Sequence, residues 1–200
     1  MLRFEADSHQ YFWHDKPVPN VTRIIAPLTD YSRVDPRALQ LAQEEGIAIH
    51  KMVELDCLGT LKHPLPEWMY SRFDAWCRFK DETGFVCLMP ERRMFHEGLG
   101  YAGTADLFCV LRKTALNGVV NLDVKRSLYA GPAIGLQTAA YSEQWNRLEP
   151  KNKVRHRGSI VLSDDAKYKL TLYEDRDDWP AFLALLTSHK WKEKHYGRSA

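Results

Sequence analysis

Residues 101–125 read YAGTADLFCVLRKTALNGVVNLDVK. Asp106 opens one apolar, strand-like run (107–111) and Asp123 closes another (118–122). Between the runs lies Asn117-Gly118, a hairpin turn signal, so the two strands are expected to pair antiparallel with their carboxylates level. Lys125 adds an ammonium two residues beyond Asp123. Two carboxylates and one cation at a common edge make a site for a hard divalent ion. Mg2+ prefers oxygen ligands, uses one or two carboxylates, and keeps positions for water and a phosphate.

Upstream, 4–13 alternates aromatic and polar residues and turns at Asp15-Lys16-Pro17, a hairpin-like start. Val21-Thr22-Arg23-Ile24-Ile25 fits either a strand or the first turn of a helix. Asp35-Pro36 is an N-cap followed by a first-turn proline, and the helix it starts runs to Gly59. Gly46, His50 and Glu54 form a column on one flank, with Gly46 admitting another backbone and His50 pointing inward. A lone helical histidine is more often structural than a ligand. A second helix is expected over 65–83, with Met69, Phe73, Trp76 and Phe79 inward and Gly84 as its stop. Then 85–89 reads as a buried strand, and Pro90-Glu91-Arg92-Arg93 continues it into a second hairpin with 94–96. Glu91 is thereby a third acid ahead of Asp106.

Downstream, 127–134 is a connector and 135–148 a helix. Leu136, Ala140 and Trp145 face its core side, while Gln137, Tyr141 and Gln144 share another face. Two strand-like runs, 158–162 and 168–173, form a hairpin. Asp177 or Asp178 caps a last helix over 180–195 with Phe182, Leu185, Leu186 and Trp191 at inward spacing.

With 200 residues, 44% hydrophobic and 12% aromatic, the chain fits one domain with a full core. Its parts are an N-terminal hairpin (1–30), a helical part (35–84), a central core (85–175) and a C-terminal helix (178–195). A net charge of +2 does not mark a nucleic-acid binder, so attraction has to be local. Residues 147–157, RLEPKNKVRHR, hold five basic residues and one acid, although such runs are often only solvated. Cys57, Cys77, Cys87 and Cys109 contain no Cys-x-x-Cys pair and read as free, mostly buried thiols in a reducing cytoplasm. No secretory leader or membrane span is expected.

Asp-x-Lys alone is weak, since Asp165-Ala166-Lys167 repeats it in an expected turn. The ordered set is specific: Gly46-x-x-x-His50, Glu91, Gly103-x-x-Asp106, Asp123-x-Lys125, Gln137-x-x-x-Tyr141. It resembles the PD-(D/E)XK nuclease superfamily, in its RecB-like and phage-type exonuclease branch, over roughly residues 1–175. The opening His9-Gln10-Tyr11 and 18–25 are similar to the start of small phage-type members. The resemblance implies an α/β fold with a central mixed sheet flanked by helices. It implies that His50, Asp106, Asp123 and the Val124 carbonyl bind Mg2+ or Mn2+, that Lys125 orients or deprotonates the attacking water, that Glu91 is a helper acid, and that Gln137 and Tyr141 support the site. Arg126, Arg155 and Lys167 are expected phosphate contacts, and Tyr101, Tyr129, Trp145 and Tyr168 are either base-stacking or core.

With no cysteine after Cys109, no iron–sulfur cluster is expected. The expected partner is DNA, single-stranded or duplex with an end, with a single-strand-binding, replication or recombination protein as a further partner and no membrane; any unwinding comes from a partner, from self-association, or from a substrate that already has a single-stranded end. A structure-selective endonuclease, a non-catalytic DNA-binding or recombination accessory protein, and a metal-dependent hydrolase of another substrate remain open alternatives.

Overall fold

The computed structural model describes residues 1–6, 8–30, 32, 34–126 and 131–197. Three short strands, β1 (Leu2–Glu5), β2 (Gln10–Trp13) and β3 (Lys16–Val18), form a small antiparallel sheet. The ambiguous stretch after it is a helix, α1 (Val21–Ile25), because the Asn20 side chain caps it by accepting the N–H of Arg23 at 2.8 Å. Then follow α2 (Pro36–Cys57), α3 (Tyr70–Thr83), β4 (Phe85–His96), β5 (Tyr101–Leu111), β6 (Val119–Lys125), α4 (Ala133–Leu148), β7 (Val154–Leu162), β8 (Tyr168–Leu172) and α5 (Asp178–Tyr196).

The five long strands make one mixed sheet in the order β4-β5-β6-β7-β8. All neighbours are antiparallel except β6 and β7, which run parallel with α4 as their crossover. One face packs on α2 and α3 through Ile49, Met52, Trp76, Phe79, Leu107, Leu122 and Val124. The other packs on α1, α4 and α5 through Ile24, Phe108, Ala140, Trp145 and Phe182. This is an α/β sandwich with helices on both sides of the sheet.

Several local expectations change. Residues 85–96 form one strand rather than a strand and a second hairpin; β4 pairs with β5 from Phe85↔Leu111 to His96↔Tyr101, with a bulge between Cys87 and Met89. The second helix starts later than Leu65, because Pro66 holds extended backbone and a single 3-10 turn, Glu67–Met69, precedes α3. Trp191 is 53% exposed, its ring tilted against His195 rather than turned inward. Gly46 faces open space, where a Cβ would meet nothing within 4 Å. Only Cys109 is buried; the other three thiols are half-buried.

The small N-terminal sheet clips onto the β4–β5 hairpin. Trp13 stacks on Phe95 at 4.4 Å, the Pro19 carbonyl accepts from Ala102 N at 2.9 Å, and the Tyr11 and Thr104 hydroxyls meet at 2.6 Å. No described helix is long and apolar enough to cross a membrane.

Candidate active site

Three acids fall in one row across the sheet. Pro90↔Leu107 and Arg92↔Ala105 bracket Glu91 opposite Asp106, and the next step beyond Leu107↔Leu122 sets Asp106 opposite Asp123. The β5–β6 ladder ends at that step. There the Asp106 Oδ2 accepts the Val124 N–H at 2.7 Å, so a side chain takes over from the backbone. Glu91 sits in the row with φ +44°, left-handed backbone that a glutamate rarely adopts.

His50 comes to the row from α2. Its Nδ1 lies 3.5 Å from Asp106 Oδ2 and 3.7 Å from Glu91 Oε1, and the ligand atoms of His50, Glu91 and Asp106 all lie within 4.8 Å of one another. Ligands about 2.1 Å from a single Mg2+ or Mn2+ stand roughly 3–4 Å apart, so this spacing fits one hard ion. Burial opposes the imidazolium, but Asp106, Glu91 and Asp123 outweigh it and push His50 up to about 9. Glu54, in the same column, instead pairs with Lys51 at 2.7 Å.

Asp123 is nearly sealed, its side chain 3% exposed. The Lys125 Nζ stands 2.8 Å from Oδ2 as a close ion pair, yet neither carboxylate oxygen has a well-aligned hydrogen-bond donor among the described residues. Burial, and then the neighbouring Asp106 charge, push Asp123 up to about 6 against the pull of Lys125 and His50. A buried carboxylate with open acceptor positions is costly unless a further cation meets it. The donor set therefore fits a divalent ion.

On α4, Tyr141 is buried and its hydroxyl is held well above the usual phenol range, first by burial and then by the charges of Tyr11, Asp106 and Asp123; Gln137 works the other way. The ring fits only because residue 103 is glycine: a Cβ there would lie 2.5 Å from Tyr141 Cε1. Gln144, the third residue expected on that helix face, is instead buried against the carbonyls of Met94 and Tyr101.

The fold has a known counterpart. No family model matches the sequence, and no curated protein matches it. Among solved structures, the chain is similar to an exonuclease candidate from Eubacterium rectale, with a TM-score of 0.50 and 11% identity over 77% of this chain and 69% of that one. The chain shares the fold of that structure, a mixed sheet with helices on both faces. An alkaline exonuclease from Laribacter hongkongensis aligns less well, at a TM-score of 0.40 and 16% identity over 73% of this chain and 82% of that one.

Within this fold the expected phosphate contacts scatter. Arg126 pairs with Glu45 of α2. Lys167 pairs with Asp165 at 2.7 Å in the exposed β7–β8 turn, which accounts for the second Asp-x-Lys as turn chemistry. Arg155 lies at the opening of β7, whose parallel register puts Val154 beside Val119 and Ser159 beside Asp123. It is thus about 13 Å along the strand from the acids. Tyr101 and Trp145 are core, hydrogen-bonded to the Ala140 and Asn152 carbonyls, and Tyr168 bonds Glu82; Tyr129 lies outside the described residues. Sequence reading missed Tyr11 and Thr104. Their hydroxyl pair lies within electrostatic reach of Arg93, Glu91 and Asp106, and only the docking of the small sheet brings Tyr11 there.

Proposed function

We propose that this chain is a divalent-metal-dependent deoxyribonuclease that hydrolyses phosphodiester bonds, an exonuclease working from DNA ends in phage or bacterial replication, recombination or repair. The observation that carries the reading is the Asp123 carboxylate: buried, open to a cation, paired with Lys125 and level with Asp106 and Glu91. The exonuclease description of the Eubacterium rectale structure supports the choice within nucleases.

His50, Glu91, Asp106, Asp123 and the Val124 carbonyl would hold Mg2+ or Mn2+, which when bound supplies a Lewis acid for the phosphoryl oxygen and a water of lowered pKa. The imidazole among the ligands tilts the preference toward Mn2+. Lys125, half-open to solvent, orients the attacking water and offsets the charge that develops on phosphorus. The water oxygen bonds phosphorus, the bond to the 3′ oxygen breaks, and that oxygen takes up a proton. Tyr141 stays a neutral hydroxyl donor at working pH, and Gln137 beside it helps position the strand. The substrate is DNA, single-stranded or duplex with an end, met in the cytoplasm, with unwinding supplied by a single-strand-binding or replication protein.

End-labelled single-stranded, blunt duplex and closed circular DNA, incubated with Mg2+, Mn2+ or EDTA beside Asp123→Ala and Lys125→Ala proteins, test this reading. Metal-dependent loss of linear DNA that spares circles and disappears in both variants is the expected result. Cutting of circles would replace exonuclease by endonuclease. DNA bound but intact under every metal would overturn the catalytic reading.

A further inference from the structure

A cavity opens beside α4, along the helix face that carries Ala139, Ser142, Glu143 and Asn146. It measures about 280 Å3 and opens between α4, the start of β7 and the loop leading into α5. Arg155, Arg157, Arg176 and Trp179 line it, with Glu143 and Asp175 as its acids. The volume sits just below the roughly 300–1,000 Å3 of drug-sized ligand sites, room for a group the size of a base.

The three arginines differ in role. Arg157 is tied up, its guanidinium bound to the Gly135 carbonyl at 2.7 Å, to Asp178 at 2.9 Å and to the Asp175 carbonyl at 2.9 Å. It braces β7, α4 and α5 together. Arg155 and Arg176 are exposed, and neither has an acidic partner within ion-pair distance among the described residues. The Arg155 stem crosses Gly118, where a Cβ would stand 2.8 Å from its Cγ; the glycine, at φ +92°, lets the stem pass and fixes where the charge goes. Trp179 stacks on Phe182 at 5.7 Å and is half-buried, so the ring is held in place while it lines the cavity. Two unpaired guanidinium groups beside a fixed indole match a base with its flanking phosphates.

We infer that this cavity binds a nucleoside phosphate unit, with the base on Trp179 and the phosphates at Arg155 and Arg176. The inference deepens the nuclease reading and rests on it for the choice of nucleic acid as ligand. The unit comes from a strand lying along α4 or from a free mononucleotide. The helix connects the two places: Gln137 and Tyr141 stand at the acid row, while Ser142 and Asn146 line the cavity.

The test is binding in EDTA, where nothing is cut, of a fluorescent oligothymidylate and separately of thymidine monophosphate. The proteins are wild type, Arg155→Ala/Arg176→Ala, Arg176→Glu and Trp179→Leu. The double variant is expected to weaken oligonucleotide binding about tenfold and to lower the slope of log affinity against log salt by about 1.4, the share of two single-strand phosphate contacts. Trp179→Leu is expected to lose about fivefold or more. If Trp179→Leu does not fold, the exposed Arg176→Glu still decides. Mononucleotide binding lost in the same variants would assign the cavity to free nucleotide as well. Unchanged affinity and salt slope for both ligands in the arginine variants would overturn the inference. That result leaves the nuclease reading standing if Asp123→Ala still abolishes cleavage of linear DNA. Conversely, arginine-dependent binding by a wild-type protein that cuts nothing would overturn the nuclease reading alone.

Discussion

The Asp106 carboxylate accepts the Val124 N–H at 2.7 Å, one step past the last ladder pair between their strands. One residue thus closes the end of β6 and faces the candidate metal site. Asp106→Asn keeps an acceptor and Asp106→Ala does not. Both are expected to lose cleavage, but only Asp106→Ala is expected to lose stability, by about 1.5–3 kcal/mol, the range for a hydrogen bond to a charged group. Urea unfolding of both variants in EDTA measures the difference.

Stability of the metal-free protein is expected to fall with rising pH. Asp123, raised to about 6, contributes stability that is fully present below its unfolded value and is lost as pH rises through 6. His50, raised to about 9, contributes stability that is full below its unfolded value near 6.5 and is lost as pH rises through 9. Melting in EDTA across pH 5–9 should show the decline, Asp123→Asn should flatten its lower part, and His50→Gln its upper part. Mn2+ should raise the melting temperature more at pH 8 than at pH 6, because the ion takes the place of the departing protons.

Glu91 holds left-handed backbone in the middle of a strand. Replacing it by glycine removes the side-chain penalty of that conformation, of order 1 kcal/mol, and one charge from the acid row. Glu91→Gly is expected to be at least as stable as wild type in EDTA while cleaving DNA far more slowly. Lower stability with intact cleavage would mean that Glu91 serves only the fold.

Gly103→Ala adds a methyl group 2.5 Å from the buried Tyr141 ring and 3.2 Å from Val21 Cγ2. Overpacking of this kind costs about 1–3 kcal/mol. The variant is expected to melt lower and to cleave more slowly, and Gly103→Ala combined with Tyr141→Phe should recover little, since the ring rather than its hydroxyl is in the way.

Much of this was written in local sequence. The Asn117-Gly118 turn and the apolar runs around it dictated the β5–β6 hairpin, because alternation and turn chemistry act within a few residues. Asp35 and Pro36 marked the start of α2 for the same reason, through the bonds of Asp35 to the N–H groups of Arg37 and Ala38. The ordered motifs likewise named His50, Glu91, Asp106, Asp123 and Lys125 without showing how they meet.

Tertiary structure decided what depends on contacts distant in the chain. That Glu91 stands in register with Asp106, and only by way of a left-handed residue, follows from the bulged pairing of two long strands. That Tyr11 reaches Thr104, 93 residues away, follows from the docking of a separate small sheet. Arg126 reads as a phosphate contact in sequence, but α2 brings Glu45 against it, whereas Arg155, at the other end of β7, has no acid within ion-pair distance among the described residues. Residue type and spacing determined which groups this protein carries; packing determined which of those charges neutralise one another and which remain open to a ligand, because an ion pair is a matter of distance in space.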